Sequence, residues 1–405
     1  MKNIWIINHY AGSISHGMEY RPYYFAKEWV KAGHHVTIVG SSFSHVRSLQ
    51  PICNSAVSFE EIDGIHYVWY RAPRYSGNSF KRIVNMLLFS FQLLTRNILA
   101  TKPDIVIDSS TYPLTIWGSH KIAKRFNAKL IFEVHDLWPL TPMELGGYSP
   151  WHPFILLLQQ AENYAYKNAD KVVSLLPCAK EHMVSHGMPP EKFVYIPNGI
   201  DLVEWQIAES LPEEHDVCIR KLKAQDKFIF GYTGTLGIAN AISYFIEAAD
   251  LLKDKQNLQF VIVGHGILEK ELKSIARRKS LNNVTFLPSV QKKYIPMLLS
   301  QMDTLHIAAP RSSLYRFGIS PNKLMEYMMA EKPIINAIDA GNDPVEETQC
   351  GISVSPEDPE AVAQAVLELM DMSEDQRREM GLRGRRYVME NHDYRVLAHR
   401  FLESI

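Results

Sequence analysis

The chain has 405 residues, 46% apolar and 21% charged, with 43 Lys+Arg set against 44 Asp+Glu. That apolar share with a near-zero net charge excludes a disordered chain, and no basic surplus points to nucleic acid. Four scattered cysteines (Cys53, Cys178, Cys218, Cys350) form no CxxC, so neither a disulfide framework nor a structural zinc site is expected, and a reducing, cytoplasmic setting is the default.

The opening residues, Met1 to His9, lack a signal peptide's layout. Near-continuous Val, Ile, Leu and Phe runs predict strands at Asn3–Asn8, His35–Gly40, His66–Arg71, Asp104–Ser109, Lys129–His135, Lys171–Leu176 and Phe193–Pro197. Helical patterns at Glu19–Ala32, Phe80–Ala100, Leu114–Phe126 and Pro153–Asn168 lie between them. This alternation predicts a parallel sheet covered on both faces by helices. At Pro197-Asn198-Gly199-Ile200-Asp201 the rhythm breaks, and the polar stretch to about Asp226 reads as an interdomain connection.

The alternation then restarts. Strands are predicted at Phe228–Thr233, Gln259–Val263, Asn283–Phe286, Thr304–Ala308 and Pro333–Asn336, with helices at Ala241–Leu252, Leu268–Lys279 and Asn322–Ala330. From Asp358 onward the sequence is mostly helical. The expected fold class is α/β, with two doubly wound domains, 1–200 and 201–387, and a last helix, about 388–405, returning to the first. In such sheets ligands bind at the carboxyl ends of the strands, so two facing domains would form a deep cleft.

Charge is unevenly spread: residues 1–200 carry a net of +5 and residues 201–405 a net of -6. Between Asp63 and Asp104 there is no acidic residue, while Arg71, Arg74, Lys81, Arg82, Arg96 and Lys102 are basic and interleaved with aromatic residues. Such a stretch suits an anionic membrane surface, which Arg71, Arg74, Lys81 and Arg82 would face. The alternative is a surface helix whose apolar side is ordinary core. No segment approaches the roughly 20 apolar residues needed to cross a bilayer.

The strongest local signal is Gly318-Ile319-Ser320-Pro321-Asn322-Lys323-Leu324-Met325-Glu326-Tyr327. Ser320 can cap a helix that has Pro321 at its first position. The amides of Asn322, Lys323 and Leu324 would then be available to a phosphate, which also gains the helix dipole. Lys323 adds a mobile positive charge, and Glu326, one turn later, can accept hydrogen bonds from a ribose. The alternative is a capped core helix with a surface lysine and glutamate.

This stretch resembles the donor-site helix of bacterial family 4 glycosyltransferases, retaining enzymes of the GT-B fold. Gly17-Met18-Glu19-Tyr20-Arg21-Pro22-Tyr23-Tyr24 resembles the family's glycine loop and first helix. Phe132-Glu133-Val134-His135-Asp136-Leu137-Trp138-Pro139 resembles its histidine-aspartate segment, and Pro197-Asn198-Gly199-Ile200-Asp201 its interdomain junction. Val261-Ile262-Val263-Gly264-His265-Gly266 and Asn283-Val284-Thr285-Phe286-Leu287 resemble its nucleotide-domain strands. Within the family the chain looks closest to enzymes of O-antigen or capsule synthesis, including N-acetylfucosaminyl transferases.

The resemblance implies retaining transfer, without metal or other cofactor, from a UDP-sugar to a polyprenyl-diphosphate-linked glycan. The donor sugar would be an N-acetylated, deoxy one such as N-acetylfucosamine. The enzyme would sit on the inner face of the cytoplasmic membrane. Catalytic roles fall on His135, Lys323 and Glu326. Donor contacts fall on Gly17, Thr235, Gly237, Val290, Gly318, Ser320, Pro321, Asn322, Lys323, Leu324 and Glu326, and acceptor contacts on His9, His16 and Glu19. Two departures stand out. Gly318 replaces the family's first glutamate, and residues 231–240 lack its usual Arg and Lys, so Lys323 with Arg316 or Arg311 would supply the charge. A nucleotide-sugar epimerase of the same fold and a catalytically silent nucleotide-sugar-binding subunit are the rival readings.

Overall fold

Residues 1–198, 317–319 and 394–405 gather around one sheet, and residues 199–316 and 320–393 around another. The computed structural model describes residues 1–77, 80–96, 101–206 and 209–405.

The first unit holds β1 (Asn3–Ile7), β2 (His35–Ser41), β3 (Val57–Ile62), β4 (Ile65–Tyr70), β5 (Ile105–Asp108), β6 (Lys129–Val134), β7 (Lys171–Ser174) and β8 (Phe193–Tyr195). They form one eight-stranded sheet in the order β3-β4-β2-β1-β5-β6-β7-β8. Its helices are α1 (Arg21–Lys31), α2 (Phe80–Thr95), α3 (Ile116–Phe126), α4 (Leu140–Gly146), α5 (Pro153–Asn168) and α6 (Lys180–Ser185). Successive strand residues point to opposite faces, so Trp5 and Ile7 join one core with α2, α3 and α5 while Ile4 and Ile6 join another with α1. Where both faces are buried, as along residues 4–7 of β1, the strand reads as an unbroken apolar run.

The second unit opens with α7 (Leu202–Gln206) and α8 (Glu213–Lys223) and holds β9 (Phe228–Thr233), α9 (Ile242–Leu251), β10 (Leu258–Val263), α10 (Glu269–Arg278), β11 (Val284–Leu287), α11 (Ile295–Ser300) and β12 (Thr304–Ala308). After these come α12 (Asn322–Met329), β13 (Ile334–Ala337), α13 (Pro344–Thr348), β14 (Gly351–Ser353), α14 (Pro359–Asp371) and α15 (Glu374–Asn391). The sheet is parallel throughout, in the order β11-β10-β9-β12-β13-β14. The last helix, α16 (Tyr394–Glu403), packs on α1: Trp29 Nε1 donates to the Ala398 carbonyl at 3.0 Å, and Tyr394 stacks on Tyr24 at 4.8 Å. The returning segment is thus 394–405 rather than 388–405, because α15 runs unbroken to Asn391 and stays with the second unit.

Other differences from the sequence reading have local causes. β3 is an antiparallel edge strand joined to β4 through Asp63-Gly64, both with positive φ. Its half-exposed residues gave no continuous apolar run. The stretch to Asp226, read as a connection, is largely α7 and α8, and α8 buries only His215, Ile219 and Leu222 on one face of a highly charged sequence. Of the helix expected over 80–100, α2 ends at Thr95, and residues 97–100 lie outside the described residues.

Candidate active site

In the second unit the carboxyl end of β9 leads into Gly234, whose amide donates to the Val263 carbonyl at 3.0 Å. The loops after β9 and β10 press together so closely that a Cβ on Gly264 would lie 1.9 Å from the Gly234 carbonyl oxygen. A Cβ on Gly234 would in turn strike Lys323 Nζ at 2.8 Å. The glycine therefore makes a cradle for the lysine. Lys323 lies over the Tyr232 ring, 4.3 Å from its centroid, and donates to the Tyr232 hydroxyl and to Asn240 Oδ1, both at 3.1 Å. Burial lowers its amine to about 8, with Glu326 opposing that shift.

Helix α12 is stitched to the same strand end. The Thr233 amide donates to the Tyr327 hydroxyl at 2.9 Å, and that hydroxyl donates to the Thr233 carbonyl at 3.2 Å. Contrary to expectation, Pro321 rather than Ser320 occupies the N-cap position, in an extended conformation and without a side-chain cap. The Leu324 amide already bonds the Pro321 carbonyl at 3.1 Å, so the amides on offer to an anion are those of Asn322 and Lys323. Glu326 is half-buried one turn on. Burial raises its carboxyl, Lys292 and Lys323 hold it down in part, and Glu204 adds to the rise.

Thr235 is exposed and Gly237 half-buried in the loop after β9, while Val290 is half-buried in the loop after β11. The two arginines expected to assist Lys323 are engaged elsewhere. Arg311 lies 3.9 Å from Glu357 and donates to the Pro356 carbonyl at 3.2 Å, and Arg316 donates to the Ser313 carbonyl in its own turn. Tyr232, Asn240 and Tyr327 are the residues that sequence reasoning missed here. Gly318, with φ of +92°, counts with the first unit, as does Phe317, whose carbonyl accepts from the Cys178 amide at 3.0 Å.

In the first unit His135 follows β6 directly, and its side chain is 9% exposed. Its Nε2 meets Ser109 Oγ at 3.0 Å and Glu133 Oε2 at 3.3 Å. Ser109 donates to Glu133 Oε2 at 2.5 Å, which leaves its oxygen to accept the imidazole Nε2–H. Glu133 Oε1 receives Arg21 Nε at 3.1 Å and Nη2 at 2.9 Å. Burial alone would raise the Glu133 carboxyl, but Arg21, His135 and Ser109 hold it down to about 2. Arg21 also donates to the Pro197 and Ile196 carbonyls at 2.6 and 2.9 Å. A buried relay thus runs from Arg21 through Glu133 and Ser109 to His135.

The expected acceptor histidines are not surface groups. His9 is fully buried, bonded through Nε2 to Asn85 at 2.5 Å and through Nδ1 to Tyr112 at 2.8 Å, and burial lowers it to about 3. His16 is 4% exposed, with Nδ1 on Ser13 at 2.9 Å. Both are packing residues because the strand end and loop fold them inward. Gly17, with φ of +92°, faces Ser48 so closely that a Cβ would lie 2.6 Å from its hydroxyl, and Glu19 is half-buried.

Residues 15–204 match the model of Glycosyltransferase Family 4, and residues 227–372 that of Glycosyl transferases group 1. The chain is 25% identical over 309 residues to the putative colanic acid biosynthesis glycosyl transferase WcaI of Escherichia coli K12, covering 73% of this chain and 74% of the relative. It is 22% identical over 317 residues to the probable glycosyltransferase WbjE of Pseudomonas aeruginosa, covering 75% and 76%. In fold it is similar to Anabaena Alr3699/HepE, solved with UDP and glucose, with a TM-score of 0.69 at 14% identity over 100% of this chain and 99% of the other. The chain is a glycosyltransferase of the GT-B fold.

The basic stretch of this glycosyltransferase forms an unusual surface. Helix α2 buries Met86, Phe89 and Leu93 on one side yet exposes Phe80, Val84, Leu87 and Phe91 on another. Those four positions recur at helical spacing and form one stripe. The alternative of a simple core helix accounts for only the first side. Lys81 is exposed beside the stripe, whereas Arg82 turns inward, its Nε donating to the Tyr10 hydroxyl at 3.2 Å. Arg71 and Arg74 line a cavity of about 850 Å³ with Arg96. Among the described residues no helix is long and apolar enough to cross a membrane.

Proposed function

We propose that this glycosyltransferase moves a sugar from a UDP-sugar to a lipid-linked glycan during the synthesis of a cell-surface polysaccharide such as O-antigen or capsule. The observation that carries the reading is Lys323, seated in the glycine cradle at the start of α12 with Glu326 one turn away. The neighbour solved with UDP and glucose and the relative named for colanic acid biosynthesis support the donor and the pathway class. Lys323 and the amides of Asn322 and Lys323 take the diphosphate charge, with no metal ion in the scheme, and Glu326 takes the ribose hydroxyls. Nδ1 of His135 accepts from a hydroxyl of the transferred sugar. The leaving diphosphate accepts the proton of the attacking hydroxyl on the same face, so the anomeric configuration is retained. An N-acetylated deoxy sugar such as N-acetylfucosamine is the proposed cargo. Incubation with a panel of UDP-sugars and lipid extract, with products read by mass spectrometry, tests this: UDP release with a glycolipid of one added sugar is expected. An epimerised nucleotide sugar, or no turnover with any donor, would instead favour the rival readings.

Glu326→Ala should weaken UDP binding by about 1.5–3 kcal/mol, the usual worth of a hydrogen bond to a charged group. Calorimetry checks this, and unchanged affinity would return Glu326 to a purely structural place.

The α2 stripe further supports a peripheral position on the inner face of the cytoplasmic membrane, apolar side chains inserting while Lys81 meets anionic headgroups. Vesicle co-sedimentation should show binding to anionic lipid that falls with salt and is abolished in Phe80→Ser/Phe91→Ser. Equal sedimentation of wild type and variant would remove the stripe from the membrane.

A further inference from the structure

The cavity beside α2 is distinct from the donor-type site. It opens at the carboxyl ends of two neighbouring strands, β2 and β4: Ser42 follows the first and Arg71 the second. Arg71, Arg74 and Arg96 line it, together with Gln92 and Cys53. Among the described residues none of the three guanidinium groups has a carboxylate within salt-bridge distance, and all three residues are exposed. Three uncompensated guanidinium groups around about 850 Å³ make a receptor for a multiply charged anion such as a phosphate ester. Monovalent carboxylates would leave most of that charge unmatched.

The surroundings say what the anion carries. Ile52, which lines the cavity, is 81% exposed, and Leu88, also in the lining, belongs to the helix whose outer stripe is Phe80, Val84, Leu87 and Phe91. An anion site edged by exposed apolar side chains fits a phosphate joined to a hydrocarbon chain.

Position within the sheet adds a length. From β4 to β6 the order is β4-β2-β1-β5-β6, four strand spacings, or about 19 Å along the carboxyl edge. Arg71 stands at one end of that span and His135 at the other. A single sugar ring does not bridge it, whereas a chain of several does.

We propose that the Arg71/Arg74/Arg96 cavity binds the diphosphate of an isoprenoid-linked acceptor, whose glycan of several sugars runs along the carboxyl edge of the first sheet toward His135. The proposal rests on the reading of His135 as the reacting end and of the acceptor as lipid-linked.

Geranylgeranyl diphosphate in detergent micelles is the probe, titrated against wild type and Arg71→Gln/Arg74→Gln/Arg96→Gln, with inorganic diphosphate, phosphatidylglycerol vesicles and UDP as separate arms. Wild type should bind the isoprenoid diphosphate, saturating UDP should not displace it, and the variant should bind it roughly tenfold or more weakly while keeping its UDP affinity. Displacement by UDP, or equal binding by the variant, overturns the proposal. Inorganic diphosphate binding as tightly would make this a free-anion site, and loss of vesicle binding alone would make it a headgroup site; either result overturns the acceptor assignment. Absence of UDP binding in wild type would strike the donor reading instead, which keeps the two failures apart. The span is tested with lipid-linked oligosaccharides fractionated by sugar number: fractions of several sugars should release UDP, and comparable release with a single-sugar lipid would refute the spacing.

Discussion

Lys323→Ala is expected to lower turnover by about a hundredfold to a thousandfold, as loss of a group aimed at developing charge typically does. Affinity for the intact UDP-sugar should fall by much less, because the diphosphate gains its extra charge only as the sugar bond breaks. The same residue sets a pH dependence. Its amine sits at about 8 in the free protein because burial disfavours the charged form. A bound diphosphate favours that form and raises the value, so UDP affinity should be flat below pH 8 and decline above it by up to tenfold per pH unit. Lys323→Arg, charged throughout this range, should remove the decline, and Lys323→Ala should remove it along with part of the affinity. Calorimetry from pH 6.5 to 9.5 checks both. A wild-type decline that persists in Lys323→Ala would assign the titration to another group.

Arg21→Met should destabilise the first unit by about 3–5 kcal/mol, since it strands the Glu133 carboxylate in a site where both partners are almost fully buried. Six of the seven tryptophans lie in residues 1–198, so urea unfolding followed by tryptophan fluorescence reports mainly on this unit. The pair also carries an acid signature. Glu133 is held down to about 2 from an ordinary 4.5, so its stabilisation is complete above pH 4.5 and is lost as pH falls toward 2. That loss amounts to about 3 kcal/mol in wild type and should shrink in Arg21→Met. Glu133→Gln should show the same shortfall and should also impair turnover, because His135 loses the partner that fixes its ring. A variant as stable as wild type at pH 7 would mean that the guanidinium and carboxylate are each satisfied without the other.

The alternating α/β order was legible because its cause is local: a strand buried on both faces is apolar along most of its length, as residues 4–7, 105–107 and 260–263 are. The start of α12 could be read for a similar reason, as Pro321, Lys323 and Glu326 signal it within six residues. Where burial is one-sided, the local signal fails. β3 at the sheet edge and α8, with three buried residues in eleven, look like solvent-facing loop by composition alone.

At the site, local signals mark which residue types stand near strand ends and helix starts: His135 after β6, Lys323 and Glu326 in α12. Their partners came only from tertiary structure. Arg21 and Glu133 are separated by 112 positions, and Lys323 and Tyr232 by 91, so no local spacing could pair them. The same holds for exposure. His9 ends a strand much as His135 does, yet α2 and Tyr112 close over it. An apolar residue costs free energy wherever water reaches it, so composition alone reveals burial along a strand. A polar side chain gains or loses according to which distant atoms meet it, and only the assembled fold supplies those.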